Sequence, residues 1–150
     1  MNTHALAPSA LKWLLLAALG AGSLAQAQQP HAAHGLWLTA QRDAVLEFKP
    51  CPEQTSALCG TIVWEQDALA NPQTNDCGTR VVLVQRFDDG AWRDGWAYDP
   101  RDKKRYRATV RVKDGHLRIR AFIGAEILGQ TEELTHTDRV PAGCPARPAP

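Results

Sequence analysis

A chain of 150 residues with 17 Lys and Arg against 16 Asp and Glu has a formal net charge of +1, which excludes the strong basic excess of a nucleic-acid binder. Its length suits one domain with a hydrophobic core. Four cysteines, an even number, favour disulfides over redox or metal chemistry in an exported chain.

Export is the first expectation along the chain. Residues 1–27 place Lys12 before the apolar stretch Trp13 to Leu24 and end in Ala25-Gln26-Ala27, the pattern of a signal peptide with an A-x-A cleavage site. About a dozen apolar residues are too few to span a bilayer, which needs ~20, and no second apolar run follows. The expected product carries no transmembrane segment and is periplasmic or secreted. No cysteine lies near the cleavage site to take a lipid. Cleavage removes one cation, Lys12, and leaves 123 residues with 16 cations and 16 acids.

After a linker over residues 28–34, short runs of alternating apolar and polar residues are broken by Gly, Pro, Asn and Asp, which is strand patterning. Strands are expected at Gly35 to Thr39, Ala44 to Lys49, Leu58 to Trp64, Thr79 to Phe87, Ala91 to Tyr98, Arg105 to Lys113, His116 to Ile123 and Gln130 to Thr137. No convincing amphipathic helix occurs. The fold class is therefore all-β, a small antiparallel eight-stranded meander barrel over residues 35–140. Asp67 to Asp76 reads as a long loop and residues 141–150 as a Pro-rich tail.

The cysteines admit three pairings. Cys51 with Cys59 and Cys77 with Cys144 is favoured, because the first two are close in sequence and the second pair ties a loop to the tail. Loop-closure entropy assigns such bridges roughly 2.6 and 4.4 kcal/mol before strain.

Asp114-Gly115 between two alternating runs predicts a type I′ hairpin turn and with it a register. Val112 then faces Leu117, Val110 faces Ile119, Ala108 faces Ala121 and Tyr106 faces Ile123, all pointing inward. The opposite face pairs Lys113 with His116, Arg111 with Arg118 and Thr109 with Arg120. Like charges opposed across strands repel mildly, so Arg111, Lys113, Arg118 and Arg120 need acidic neighbours, Glu132 or Glu133, or an external anion such as an envelope component. Inside, the small pair Ala108 and Ala121 leaves space beside Tyr106, and Trp92, Trp96 and Tyr98 share one strand face. A barrel of this size either fills with side chains or holds one small ligand.

Three segments together resemble the exported bacterial proteins of domain of unknown function (DUF) family 2147. They are Gly35-Leu36-Trp37-Leu38-Thr39 with Pro50-Cys51 and Leu58 to Trp64, then Gly95-Trp96-Ala97-Tyr98-Asp99-Pro100 with Tyr106, then Phe122-Ile123-Gly124, Ile127-Leu128-Gly129 and Thr131. The resemblance implies a lipocalin-like, calycin-type barrel in which Trp37 closes one end, and a small hydrophobic or amphipathic ligand as the partner. Three positions depart from the family pattern: Lys103 replaces a turn glycine, Leu134 a late Trp, and His136 an Arg.

Catalysis finds no constellation. Ser56 is the lone serine after residue 27 and sits between two cysteines, and Asp88-Asp89-Gly90 and Asp99-Pro100 read as turns. Pro30 lacks the N–H that an amino-terminal copper site at His31 would need, and His34, His116 and His136 show no ligand spacing. The expectation is a non-enzymatic barrel with no cofactor, no metal and no nucleic-acid partner. Its pocket residues are Trp37, Trp96, Tyr98, Tyr106, Ala108 and Ala121. The alternative is an envelope interaction module that uses the cationic hairpin of residues 105–123.

Overall fold

The structure is a computed structural model that describes residues 29–141 and 144. The leader read at residues 1–27 and most of the tail lie outside them. Eight strands, β1 (Gly35–Thr39), β2 (Ala44–Cys51), β3 (Gln54–Glu65), β4 (Arg80–Asp88), β5 (Ala91–Asp99), β6 (Lys104–Lys113), β7 (His116–Phe122) and β8 (Gln130–Thr137), form a closed barrel in sequence order. Closure comes from antiparallel pairing of β1 with β8, from Leu36 opposite Thr137 to Thr39 opposite Leu134.

Turn chemistry sets the hairpins. Asp114 (φ 54°) and Gly115 (φ 77°) adopt the two left-handed positions of a type I′ turn, and Asp89 (φ 46°) and Gly90 (φ 68°) repeat it between β4 and β5. The first turn yields the expected pairs Val112 with Leu117, Val110 with Ile119 and Ala108 with Ala121. The expected fourth pair does not form. Pairing ends at Arg107 opposite Phe122, and Ile123 is 79% exposed. The reason lies with Phe122, whose side chain points outward and needs cover. After Phe122 the chain turns at Gly124 (φ 71°) and the β7–β8 connection packs back against that ring, Gly129 approaching its Cβ, while the Arg107 guanidinium lies 5.1 Å from the ring centroid. Ile123 is carried out of the strand line as a result.

One end of the barrel is filled. Trp37, Phe48, Leu58, Val84, Trp92, Val110, Leu117 and Leu134 are buried there in one cluster. Each such side chain contributes about 1.5–3 kcal/mol by leaving water. Residues 30–33, read from the sequence as linker, form a short 3-10 helix, Pro30–Ala33, that caps this end. The Trp37 indole donates to the Ala33 carbonyl at 3.0 Å and the Trp92 indole to the Pro30 carbonyl at 3.3 Å. Both buried N–H groups are thereby satisfied. Trp37 closes its end as the resemblance implied, with the His136 ring edge-on at 5.3 Å.

Both expected disulfides form. Cys51–Cys59 staples the β2–β3 hairpin on the outer wall, and Cys77–Cys144 ties the 66–79 connection to the tail.

Candidate functional site

The opposite end of the barrel is open. A cavity of about 440 Å³ enters it, walled by Ala44, Leu46, Ile62, Val82, Ala97, Tyr98, Ile119 and Ala121. The cause is side-chain size: Ala44, Ala97 and Ala121 stand where the closed half carries aromatics. Leu46, Ile62, Val82 and Ile119 belong to the buried core cluster and so form the inner surface of this chamber. The volume lies within the roughly 300–1,000 Å³ typical of small-molecule sites.

The six expected pocket residues are placed differently from one another. Tyr98 and Ala121 line the chamber. Trp37 and Ala108 are buried and do not line it, Trp37 lying in the filled end. Trp96 stands on the outer wall with the Arg105 guanidinium 4.3 Å from its ring centroid. A β-bulge between Trp92 and Gly95, with Asp94 at φ 58°, accounts for this. It sets Trp92 opposite inward Val110 but Trp96 opposite outward Arg107, so the two indoles that an unbroken strand would place on one face are split. The same bulge requires Gly95, because a Cβ there would lie 1.9 Å from the Leu83 carbonyl oxygen. Tyr106 is half-buried and its hydroxyl donates to Asp102 in the β5–β6 turn, which raises the Tyr106 pKa.

Polar groups gather at the entrance. Asp43, Glu65, Asp67, Asp76, Asp99 and Glu132 line the mouth with a single cation, Arg101. Several are engaged: Asp43 accepts the Thr39 hydroxyl at 2.6 Å, and Glu65 accepts the Asp76 N–H at 2.8 Å. Asp99 accepts the Arg101 backbone N–H at 3.0 Å, the turn expected from Asp99-Pro100, and its carboxylate also takes the Arg101 guanidinium in a fork at 3.0 and 3.2 Å. That fork holds the Asp99 carboxyl below its usual range and pushes Arg101 further up.

Glu132 differs from the rest. It faces Ile119 across the β7–β8 ladder and alternates with buried Leu134, so it points into the barrel. Its Oε1 is shut off from solvent and has no hydrogen-bond partner among the described residues. The parity of Leu134 and Glu132 in β8 is the sequence signal for this inward acid. Asp67 and Asp76, contributed by the 66–79 connection, carried no such signal.

The cationic hairpin face is largely answered from within the molecule, though not by Glu132. Glu126, in the 3-10 turn Glu126–Leu128, accepts Arg111 at 2.6 Å and the buried Thr109 hydroxyl at 2.8 Å, with Arg93 at 3.5 Å. Hydrogen bonding from Arg111 is the main reason its carboxyl titrates below the ordinary range. Arg118 pairs with Glu133 at 2.7 Å. Arg120 donates to the Glu126 and Ile127 carbonyls and the Thr131 hydroxyl, and Lys113 is exposed. These ties hold the β7–β8 connection in place while Ile127 and Leu128 remain 83% and 80% exposed.

Among the described residues no cluster of three or more His, Cys, Asp or Glu is placed to hold a metal ion, and no helix is long and apolar enough to cross a membrane.

Comparison with known sequences places residues 35–136 in a family described as "Uncharacterized protein conserved in bacteria (DUF2147)". The chain belongs to the DUF2147 family. No curated protein matches it. Among solved structures, this DUF2147 barrel is similar to HP1028 of Helicobacter pylori, described as belonging to the lipocalin family. The TM-score is 0.51 and the identity 14%, over 71% of this chain and 83% of that one. The likeness establishes a lipocalin-like fold for this DUF2147 member. Lys103, in the β5–β6 turn, lies at φ 58°, a left-handed conformation that glycine adopts more readily.

Proposed function

We propose that this DUF2147 protein is a non-enzymatic, exported binding protein that holds one small apolar or amphipathic molecule in the open half of its barrel. The observation that carries the reading is the 440 Å³ chamber, apolar inside and polar at its entrance. An amphipathic ligand matches both surfaces. Two disulfides support an oxidising compartment, periplasmic or extracellular. The envelope-contact reading is weaker, because Arg111 and Arg118 already have carboxylate partners and Arg120 is spent on carbonyls.

Titration with the neutral fluorophore N-phenyl-1-naphthylamine tests the proposal. The expected result is saturable 1:1 binding that falls at least tenfold in Ala121→Trp, whose indole would fill the chamber. Equal binding by the two proteins, or no saturation by the wild type, would defeat it.

A further inference from the structure

Among the acids lining the chamber, half-buried Glu132 is the one that a strand points into the barrel. Glu132 stands opposite Ile119, which is 8% exposed, and two residues before fully buried Leu134 on the same strand face. Its Oε1 has lost contact with solvent without gaining a donor. A carboxylate oxygen in that situation carries an unrecovered desolvation cost, which an entering N–H or O–H group would offset once the half-buried side chain turns that oxygen toward the chamber.

The remaining charges narrow the chemistry of that group. Asp43, Glu65, Asp67, Asp76 and Asp99 surround the same mouth, against Arg101 alone. Arg101 lies within electrostatic reach of Glu132 and Asp43, but its guanidinium is committed to the fork on Asp99. Six carboxylates to one guanidinium leave the mouth strongly anionic, and a low-dielectric cup lined by one sign of charge concentrates counter-charged molecules at its entrance. Such a mouth disfavours a fatty acid or a phosphate-headed lipid.

We propose that Glu132 receives the ammonium head of a cationic amphiphile, a primary amine on an apolar tail. The tail lies across the chamber against Leu46, Ile62 and Val82 on the far wall. This assignment rests on the chamber being a ligand site, and the test separates the two.

Decylamine, decanol, decanoate and decyltrimethylammonium, all below micellar concentration, are used to displace N-phenyl-1-naphthylamine at neutral pH. Decylamine is expected to bind roughly ten- to a hundredfold more tightly than decanol, the size of a hydrogen bond to a charged group, and decanoate more weakly than either. Decyltrimethylammonium, which has the charge but no N–H, is expected to fall between amine and alcohol. In Glu132→Gln the amine's advantage over decanol should fall to within about threefold, both affinities being referred to that variant's own affinity for the fluorophore. Equal affinity for decylamine and decanol in wild type would overturn the assignment while leaving the chamber intact, as would an amine preference that survives in Glu132→Gln. The wild-type comparison of primary with quaternary amine decides the point even where Glu132→Gln does not fold: quaternary binding as tight as the amine's contradicts a role for the Glu132 acceptor. Failure of the neutral fluorophore to bind wild type would remove both readings.

Discussion

The two halves of the barrel are built from the same eight strands and differ in what those strands point inward. Toward the 3-10 cap, Trp37, Phe48, Trp92, Leu117 and Leu134 interdigitate, and both indole N–H groups find carbonyls. Toward the mouth, Ala44, Ala97 and Ala121 leave the walls apart and Glu132 enters the interior. A closed sheet alone therefore does not decide whether a barrel is a core or a cup. Residue volume at a few inward positions does.

The comparison predicts opposite responses to substitution in the two halves. Trp92→Ala should remove about 3–5 kcal/mol, since it leaves a cavity among packed side chains and unties the cap. Ala121→Trp should change the unfolding free energy, read from urea titration, by less than about 1 kcal/mol, because space already exists there. Equal losses in the two variants would abolish the distinction.

The connection that supplies Asp67 and Asp76 to the mouth is tied to the tail by Cys77–Cys144. The double substitution Cys77→Ser with Cys144→Ser should cost up to about 4 kcal/mol by chain entropy. It should also weaken fluorophore binding, because the 66–79 connection supplies Asp67 and Asp76 to the entrance. Loss of stability with unchanged affinity per folded molecule would show that the mouth is held by its strands alone.

A smaller effect is expected on the outer wall. Glu126 has a folded-state pKa below its ordinary value, so its contribution is fully present above the usual glutamate pKa of about 4.3 and disappears as pH falls through the lower folded value. Glu126→Gln should be about 1 kcal/mol less stable than wild type at pH 7, with the gap closing toward pH 3. Urea midpoints at pH 7, 5 and 3 measure this, and a gap independent of pH would remove the charge from the explanation. Smallest of all, Lys103→Gly should stabilise by no more than about 1 kcal/mol, read as a rise in melting temperature, because glycine relieves the left-handed backbone but also loosens the unfolded chain.

What was legible in the sequence follows the range of the physics involved. Asp114-Gly115 fixed the β6–β7 register because a two-residue turn leaves one way to pair its strands, and all eight strands were placed by alternation. The bulge at Asp94 leaves one local mark, Gly95 inside the strand pattern, which alternation alone overlooks, and it exchanges the wall on which Trp96 stands. Nor was the fate of Ile123, which depends on Phe122 needing cover from residues further along the chain. The cap at Pro30–Ala33 escaped notice for a related reason: its partners, Trp37 and Trp92, are brought together only by the closed barrel. Glu132 was within reach, because Leu134 two residues later marks the inward face of β8. Its neighbour Glu133 has the opposite parity and pairs with Arg118 on the outer wall.

The central claim is that the open half of the barrel, and not the outer wall, receives a ligand. A crystal soaked with 1-bromodecane and measured at the bromine absorption edge tests it most directly. The account predicts anomalous density inside the chamber, within contact of Leu46, Ile62, Val82 or Ile119. Density confined to the exposed Ile127 and Leu128, or to the Trp96 face, with the chamber empty, would contradict it.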